Sequence, residues 1–303
     1  MRLIFMGTPP YALPALEAMW RAGHDVLVVT RPDAPQGRGR RLQPAPVRVW
    51  AEAHGLAVLT PARLDPDVVR QLADFAPAAL ITAAYGLILP PAVLALAPHG
   101  AYNVHASLLP RWRGPNPVAW AIRAGDALTG VTLMAMDAGV DTGPIVAQRI
   151  EPIRPDDTTG TLTDRLARIG GELVADHLPR LAEGPLPTRP QPAEGTRAPK
   201  FRPEEARIDF GEPAWTVSAR VRSMLPEPGP YTTVGGVRVE LLDAAVEAVL
   251  LEPGTIRQEG ETWIIGCGIG SVRVTKIRPA GRREMTPAAF ARGQRPAPTR
   301  IEG

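Results

Sequence analysis

The first 183 residues alternate between short apolar runs and amphipathic stretches. Apolar runs of about four to eight residues bounded by Gly or Pro are typical of buried strands, and apolar positions three and four apart are typical of helices. Strands are predicted at 3–6, 26–30, 78–83, 129–136 and 143–150, and helices at 12–22, 44–55, 91–96 and 161–181. Such alternation predicts an α/β domain with a parallel sheet wrapped by helices, which binds its ligand at the carboxyl ends of the strands.

The pattern changes after residue 183. Residues 184–203 contain six prolines and little apolar periodicity, which is typical of a stiff linker. Short strand-like segments separated by Gly turns follow, at 231–234, 237–242, 254–258, 262–267 and 271–277. Short strands of this kind predict a small β-barrel. We therefore predict one domain at 1–183, a Pro-rich linker at 184–206 and a second domain at 207–303.

Composition narrows the class of protein. A chain of 303 residues that is 45% hydrophobic can bury substantial cores. The single cysteine, Cys267, excludes an intrachain disulfide and a Cys-rich zinc motif, and the five histidines lack metal-ligand spacing, so we expect no metal. No apolar run approaches the roughly 20 residues of a membrane span, and the first apolar run is too short for a signal segment. We expect a soluble, cytoplasmic protein.

Positive charge is unevenly distributed, although the net charge is only +3. Arginines cluster at 31–48, and arginines with one lysine cluster at 273–300. Two basic patches on a nearly neutral chain fit a polyanion that touches part of the surface. Only two of the 34 basic residues are lysine, so a compositional bias toward arginine accounts for some of these residues as solvated surface.

Candidate chemistry centres on Asn103 and His105. In an extended segment, side chains two residues apart point to the same face, so this amide and imidazole converge at a predicted strand end. A loop stiffened by Pro and Gly follows at 107–114, and the turn DAGVDTG at 137–143 carries Asp141. The alternative for the first pair is a turn Asn and a buried His satisfied by its neighbours. Motifs of P-loop, dinucleotide-binding, serine-hydrolase and zincin enzymes are missing from the sequence.

Together these residues resemble the folate-dependent formyltransferases. Further matches are GTP at 7–9, QGRGRRL at 36–42, AAYGLILP at 83–90 and EEARIDF at 204–210. The resemblance runs nearly end to end and implies a Rossmann-like N-terminal formyltransferase domain with a C-terminal OB-like β-barrel that binds tRNA. The chain departs from the family pattern at 225–230, where LPEPGP replaces an expected aromatic-proline motif.

The resemblance implies an enzyme that moves the formyl group of 10-formyltetrahydrofolate to the amino group of methionyl-initiator tRNA. The product is N-formylmethionyl-tRNA, used in translation initiation. One alternative is a folate-dependent formyltransferase acting on a small amine, such as a nucleotide sugar or ribonucleotide; the long basic C-terminal third argues against it. Another is a noncatalytic RNA-binding protein, which the intact Asn103, His105 and Asp141 argue against. We expect a monomer with no membrane partner.

The chemistry of formyl transfer assigns roles to the three residues. Asn103 and a protonated His105 would donate to the developing oxyanion, and Asp141, through a water, would take the proton that the amine loses. The folate is expected on the loops at 83–90 and 107–110, against Tyr85, Gly86, Leu87, Ile88, Leu89, Ser107, Leu108, Leu109 and Pro110. The residues expected to bind tRNA are Arg38, Arg40, Arg41, Arg273, Lys276, Arg278, Arg282 and Arg283. Of these, Arg40 or Arg41 is expected to insert among the end bases.

Overall fold

The computed structural model describes residues 1–36 and 41–302, and its chain divides into two compact units. The first unit comprises Met1–Pro117, Leu128–Pro152 and Thr163–Ala198. The second comprises Val118–Ala127, Ile153–Leu162 and Pro199–Gly303. Each unit is drawn from more than one stretch of chain, whereas the sequence predicts continuous domains on either side of residues 184–206. Those boundaries stay a prediction.

A mixed sheet forms the centre of the first unit. The strands of this unit are β1 (Arg2–Gly7), β2 (Asp25–Val29), β3 (Ala34–Gln36), β4 (Arg41–Gln43), β5 (Ala57–Leu59), β6 (Ala79–Ala83), β7 (Ala101–His105), β8 (Leu128–Ala135) and β9 (Ile145–Pro152). Seven of them form one sheet in the order β5-β2-β1-β6-β7-β8-β9, while β3 and β4 pair separately as an antiparallel ribbon. The five neighbouring strands β5-β2-β1-β6-β7 are parallel to one another, as predicted.

The sheet is parallel-dominated and mixed, because β8 and β9 depart from the predicted parallel arrangement. β8 runs antiparallel to β7, and β9 runs antiparallel to β8. The connection from β8 to β9 is a short turn that contains Asp141, and a turn of that length can join only antiparallel neighbours, since a parallel crossover needs a dozen or more residues. Apolar periodicity locates a strand but does not give its direction.

Prolines begin most of the helices in the first 183 residues. These helices are α1 (Leu13–Arg21), α2 (Pro46–Ala53), α3 (Pro66–Asp74), α4 (Pro91–Leu94), α5 (Pro117–Arg123) and α6 (Thr159–Glu183). Of these, α5 belongs almost wholly to the second unit, and α6 begins in it. Proline is favoured at the first helical position because the N–H it lacks has no partner there. The Asp65 side chain caps α3 by accepting from the backbone N–H of Val68 at 3.0 Å. This accounts for part of the high proline content of a well-folded chain.

Both faces of the central strands are buried. Leu3, Ile4, Phe5 and Met6 of β1 are fully inaccessible to solvent, and every residue of β6 is buried. Successive side chains of a strand point to opposite faces, so helices and loops cover the sheet on both sides. The strand ends that carry the candidate residues are therefore held by a rigid scaffold.

The second unit is built from short antiparallel strands. They are β10 (Tyr231–Val234), β11 (Val237–Leu241), β12 (Ala245–Glu247), β13 (Ile256–Glu259), β14 (Thr262–Gly266), β15 (Ser271–Val274) and β16 (Ile277–Pro279), with helices α7 (Ala214–Ser223) and α8 (Pro287–Ala291). They form sheets ordered β10-β11-β16 and β12-β15-β14-β13 around a core that includes the ring pair Trp263–Phe290, 5.9 Å apart. Within the described residues, strand pairing does not close the barrel expected from the sequence. The strand predicted at 271–277 is divided between two sheets.

Candidate active site

Asn103 lies on β7 beside Thr82 of the parallel neighbour β6. The Thr82 hydroxyl donates to the Asn103 side-chain oxygen at 2.8 Å. With its oxygen occupied, the amide directs its NH₂ group toward the Asp141 carboxylate, whose Oδ1 lies 3.4 Å from Asn103 Nδ2. The strand register therefore orients the amide so that its NH₂ group serves as a donor on the side of Asp141.

His105, at the end of β7, is almost completely buried. Its Nε2 lies 2.9 Å from the backbone oxygen of Trp112. A carbonyl can only accept, so Nε2 carries a hydrogen and the other ring nitrogen faces the site. That nitrogen, Nδ1, lies 3.5 Å from Asp141 Oδ1. The protonated ring can donate to both partners.

Asp141 reaches this pair from the turn between β8 and β9. Its Oδ2 accepts from the backbone N–H of Gly114 at 2.8 Å, and its side chain retains 15% exposure. The backbone at Asp141 is left-handed, with φ of 55°, a conformation that Asp adopts more readily than most residues. One carboxylate oxygen is thus anchored, and the other lies between an amide and an imidazole.

The Asp141 turn is shaped by another acidic residue. Asp137 Oδ1 accepts from the Gly139 N–H at 2.9 Å and from the Thr142 hydroxyl at 2.8 Å, as Asp commonly does in turns. A Cβ on Gly143 would lie 1.9 Å from the Ala135 backbone oxygen, so only glycine fits where the turn returns to the sheet. Two residues of the DAGVDTG motif therefore build the turn that presents the Asp141 carboxylate.

The contacts of Asp141 Oδ1 leave room for a reacting group. Its separations of 3.4 and 3.5 Å from Asn103 and His105 exceed the usual 2.7–3.2 Å of an N–H···O hydrogen bond. Catalytic contacts are often long in a free enzyme and shorten when substrate binds. A substrate oxygen could take donors from Asn103 and His105, while the carboxylate accepts a proton. The predicted trio is therefore brought together.

The predicted folate loop after β6 presents alternate residues to solvent. Tyr85 and Leu89 belong to the apolar core, and Leu87 packs against it. Gly86 is exposed, and Ile88 is 77% exposed. An exposed isoleucine beside open backbone groups fits a flat, largely apolar ligand. For Tyr85 and Leu89 the burial indicates packing, and their contact with folate stays a prediction.

The loop at 107–110 is held mainly by its backbone. Ser107 and Leu109 are buried, whereas Leu108 and Pro110 are partly exposed. The Thr132 hydroxyl donates to Ser107 O at 2.6 Å and accepts from Leu109 N at 3.1 Å. Gln148 Nε2 donates to Leu109 O at 2.9 Å. These bonds fix the loop and leave Leu108 and Pro110 as the side chains able to reach a ligand.

The predicted basic patch of the second unit is partly neutralised by glutamates. Ion pairs join Arg273 to Glu247 at 2.5 Å, Arg278 to Glu240 at 2.7 Å and Lys276 to Glu284 at 3.8 Å. Arg282 and Arg283 are exposed, and no ion pair of theirs occurs within residues 1–36 and 41–302. Those two arginines are the members of the patch most available to phosphate.

The predicted arginine loop is described only at its base. Arg41 is exposed at the start of β4, whose pairing with β3 joins the two sides of the loop. Arg38 and Arg40 lie outside the described residues. Arg41 is therefore the one predicted tRNA-binding residue of this loop whose position is described, paired in the ribbon with Gln36 of β3.

Sequence reasoning missed the residues that orient the site. Side-chain hydrogen bonds from Thr82, Thr132, Gln148 and Gln191 hold the candidate catalytic residues or their loops. Thr82 carried a signal, since it is the one hydroxyl in the buried run ALITA. The others are isolated polar residues whose partners are 16 to 78 positions away, so no local pattern indicates them.

Comparisons with known proteins agree with this geometry. Residues 1–178 match the family described as formyl transferase, and residues 200–295 match the formyl transferase C-terminal domain. A methionyl-tRNA formyltransferase of Halorhodospira halophila is 45% identical over 302 residues, covering 98% of this chain and 97% of the relative. One of Arthrobacter is 42% identical over 297 residues, covering 97% of each chain. The chain belongs to the methionyl-tRNA formyltransferase family. It is therefore an enzyme of the formyl-transferring class, as the motifs predict.

Solved structures share the fold at lower identity. HypX from Aquifex aeolicus in complex with tetrahydrofolic acid superposes with a TM-score of 0.67 at 21% identity, covering 96% of this chain and 46% of that chain. The N-formyltransferase of Helicobacter canadensis with folinic acid and dTDP-3-aminofucose gives 0.69 at 17% identity, covering 90% and 97%. At these identities the likeness concerns the fold alone.

Two further features bear on partners. Within residues 1–36 and 41–302, no helix combines the length and apolar character needed to cross a bilayer. In the same part of the chain, no three His, Cys, Asp or Glu side chains are grouped so that they could hold a metal ion.

Proposed function

We propose that the protein transfers the formyl group of 10-formyltetrahydrofolate to the α-amino group of methionyl-initiator tRNA. The observation that carries the proposal is the convergence of Asn103, His105 and the unanchored oxygen of Asp141. An amide donor, an imidazole and a carboxylate meet the needs of an amine attacking a stabilised formyl carbonyl. The protein is proposed to act as a monomer in the cytoplasm.

The reaction begins when the amine nitrogen attacks the formyl carbon. The carbonyl π electrons move to oxygen, and Asn103 Nδ2 donates to the oxyanion that develops. His105 Nδ1 donates to the same oxygen as its long contact with Asp141 opens. Such donors are effective because the fold, not the substrate, holds them in place.

Proton transfer completes the exchange. The attacking amine becomes positively charged and loses a proton to Asp141 Oδ1, directly or through one water. The oxyanion then re-forms the carbonyl as the bond between the formyl carbon and N10 of the folate breaks, and N10 takes the proton held by Asp141 as it leaves. Gly114 N–H keeps Oδ2 in place, so Oδ1 remains directed at the reacting atoms.

We propose that the donor lies on the exposed edge of the loop at 83–90, where Gly86 and Ile88 are open to solvent. Leu108 and Pro110 would contact it from the second loop. Arg38, Arg40 and Arg41 are proposed to close on the acceptor stem, and Arg282 and Arg283 to contact phosphates. Charged side chains without an ion pair can neutralise phosphate at the lowest cost.

The decisive assay compares acceptors. Purified protein and 10-formyltetrahydrofolate are incubated with methionyl-initiator tRNA, methionyl-elongator tRNA, free methionine or dTDP-3-aminofucose, and formylated products are measured by mass. The initiator tRNA is expected to react fastest. Equal transfer to free methionine, or faster transfer to the amino sugar, would contradict the proposal and favour a small-amine formyltransferase.

A further inference from the structure

Part of the segment predicted to be a linker lies along the loop beside the site. Residues 191–198, here called the strap, belong to the first unit. Trp112 N–H donates to the Thr196 hydroxyl at 2.8 Å, and Arg113 N–H donates to Thr196 O at 2.9 Å. Ala198 N–H donates to Arg113 O at 2.7 Å. The strap thus holds the loop residues that follow His105 in the chain.

Two glycines allow the strap to approach this closely. A Cβ on Gly195 would lie 2.5 Å from Pro110 O. Gly114 has φ of 116°, and a Cβ there would lie 3.1 Å from Ala198 O. Larger residues at these positions would push the backbones apart. The contact between strap and loop is therefore a built feature of the first unit.

Gln191, at the start of the strap, joins both loops of the site. Its NH₂ group donates to Asp141 O at 3.1 Å and to Gly143 O at 2.6 Å. Its side-chain oxygen accepts from Arg113 Nη2 at 2.9 Å and from Arg113 Nε at 3.2 Å. One neutral amide therefore connects the turn that carries Asp141 to the loop that carries Gly114.

Both connected segments contain left-handed backbone. Trp112 has φ of 62° and Asp141 has φ of 55°. Asp adopts this conformation more readily than most residues, but a bulky residue such as Trp112 persists in it only when its surroundings enforce it. Trp112 O receives the His105 hydrogen bond, and Asp141 supplies the carboxylate. The position of the Trp112 carbonyl therefore depends on backbone that needs outside support.

We infer that Gln191 is a positioning residue, which sets the place of the Asp141 carboxylate by tying its turn to the Arg113 loop. This inference rests on the proposed formyl transfer for its effect on rate. Gln191 touches no reacting atom. It acts through the backbone oxygens of Asp141 and Gly143, and through the guanidinium of Arg113.

Two substitutions of Gln191 distinguish the role of its NH₂ group, which donates to the Asp141 turn, from that of its oxygen, which accepts from Arg113. Gln191→Met keeps the length of the side chain and removes both kinds of hydrogen bond. Gln191→Glu keeps an acceptor for Arg113 but places a carboxylate against two carbonyl oxygens. If the turn is what Gln191 positions, both variants should lower kcat by roughly 10- to 100-fold, with KM for tRNA changed less than threefold. Gln71→Met, an exposed position on α3, is the matched control and should leave both constants unchanged.

A wild-type kcat in Gln191→Glu would overturn the inference, because the hydrogen bonds to Arg113 would then sustain the rate without those to Asp141 O and Gly143 O. Full kcat in Gln191→Met would overturn it as well. Equal unfolding midpoints of the variants and the wild-type protein check that a lower rate is not a loss of fold.

Hydrogen exchange separates this inference from the proposed function. Peptides covering 111–117 and 137–144 are followed in the wild-type protein, Gln191→Met and Gln71→Met, without substrate. Faster exchange of both peptides in Gln191→Met alone is expected, because Gly114 N–H is held by the Asp141 carboxylate. Unchanged exchange would overturn the positioning role, whatever acceptor the enzyme uses. If the wild-type protein formylates no tRNA, the proposed function is wrong. The exchange rates would still show whether Gln191 positions the Asp141 turn.

Discussion

The Thr82 hydroxyl donates to the side-chain oxygen of Asn103 at 2.8 Å. Because this bond orients the amide, Thr82→Val should lower kcat about fivefold at unchanged KM, the rate effect of roughly 1 kcal/mol of hydrogen bonding. Thr82→Ser keeps the hydroxyl and should stay within twofold of the wild-type kcat. Steady-state kinetics on both variants checks this, and a Thr82→Val enzyme with normal kcat would show that the strands alone orient the amide.

Salt dependence of tRNA binding distinguishes free from paired arginines. Arg283→Ala should reduce the slope of log K against log salt by about one, as for one lost phosphate contact. Arg278→Ala should reduce it by less, since Arg278 must first release Glu240. Filter binding at several salt concentrations measures both slopes. Equal reductions would mean that the Glu240 pair opens when tRNA binds.

The arginine loop is expected to read the end of the acceptor stem. Arg41→Ala should lower kcat/KM for initiator tRNA more than for elongator tRNA, while Arg283→Ala should weaken both alike. The ratio of the two kcat/KM values, measured at several salt concentrations, reports discrimination. If Arg41→Ala leaves that ratio unchanged, the loop supplies charge only.

Cys267 should behave as a core residue of the second unit. Burial raises the pKa of its thiol from 9.0 to about 12. In the unfolded chain the thiol loses its proton near pH 9, whereas the folded protein retains it, so this contribution to stability is complete below pH 9 and falls as pH rises toward 12. By pH 10 the free energy of unfolding should have dropped about 1 kcal/mol more in the wild-type protein than in Cys267→Ala. Urea unfolding at pH 8, 9 and 10 tests this, and parallel curves would contradict it.

The sequence indicated three candidate catalytic residues, which the structure brings together, because their chemistry is concentrated in short motifs. Asn103 and His105 are two positions apart, and Asp141 lies in a turn with a distinctive Gly pattern, so the resemblance could assign all three. The direction of the strands could not be predicted from local motifs in this way. β8 is as apolar as the parallel strands, whereas β9 carries Gln148, Arg149 and Glu151. The short turn between them requires β9 to run antiparallel to β8, but nothing in the apolar pattern of β8 gives its direction relative to β7.

The supporting residues were out of reach for a different reason. Gln191 acts on Asp141 across 50 positions, from a segment whose prolines suggested a linker. A proline-rich composition describes the stiffness of a segment but not the surface along which it lies. Pairing of Arg273 and Arg278 with glutamates likewise depends on strand register, which charge counting along the chain cannot give.

The most direct measurement is single-turnover formyl transfer to methionyl-initiator tRNA by Asp141→Asn. An asparagine can still accept the Gly114 N–H, so the turn should keep its shape while the base is lost. The rate should fall at least about a hundredfold, with tRNA affinity within twofold of the wild-type protein. A near-normal rate at saturating folate would remove the carboxylate from the reaction and contradict the account of this site.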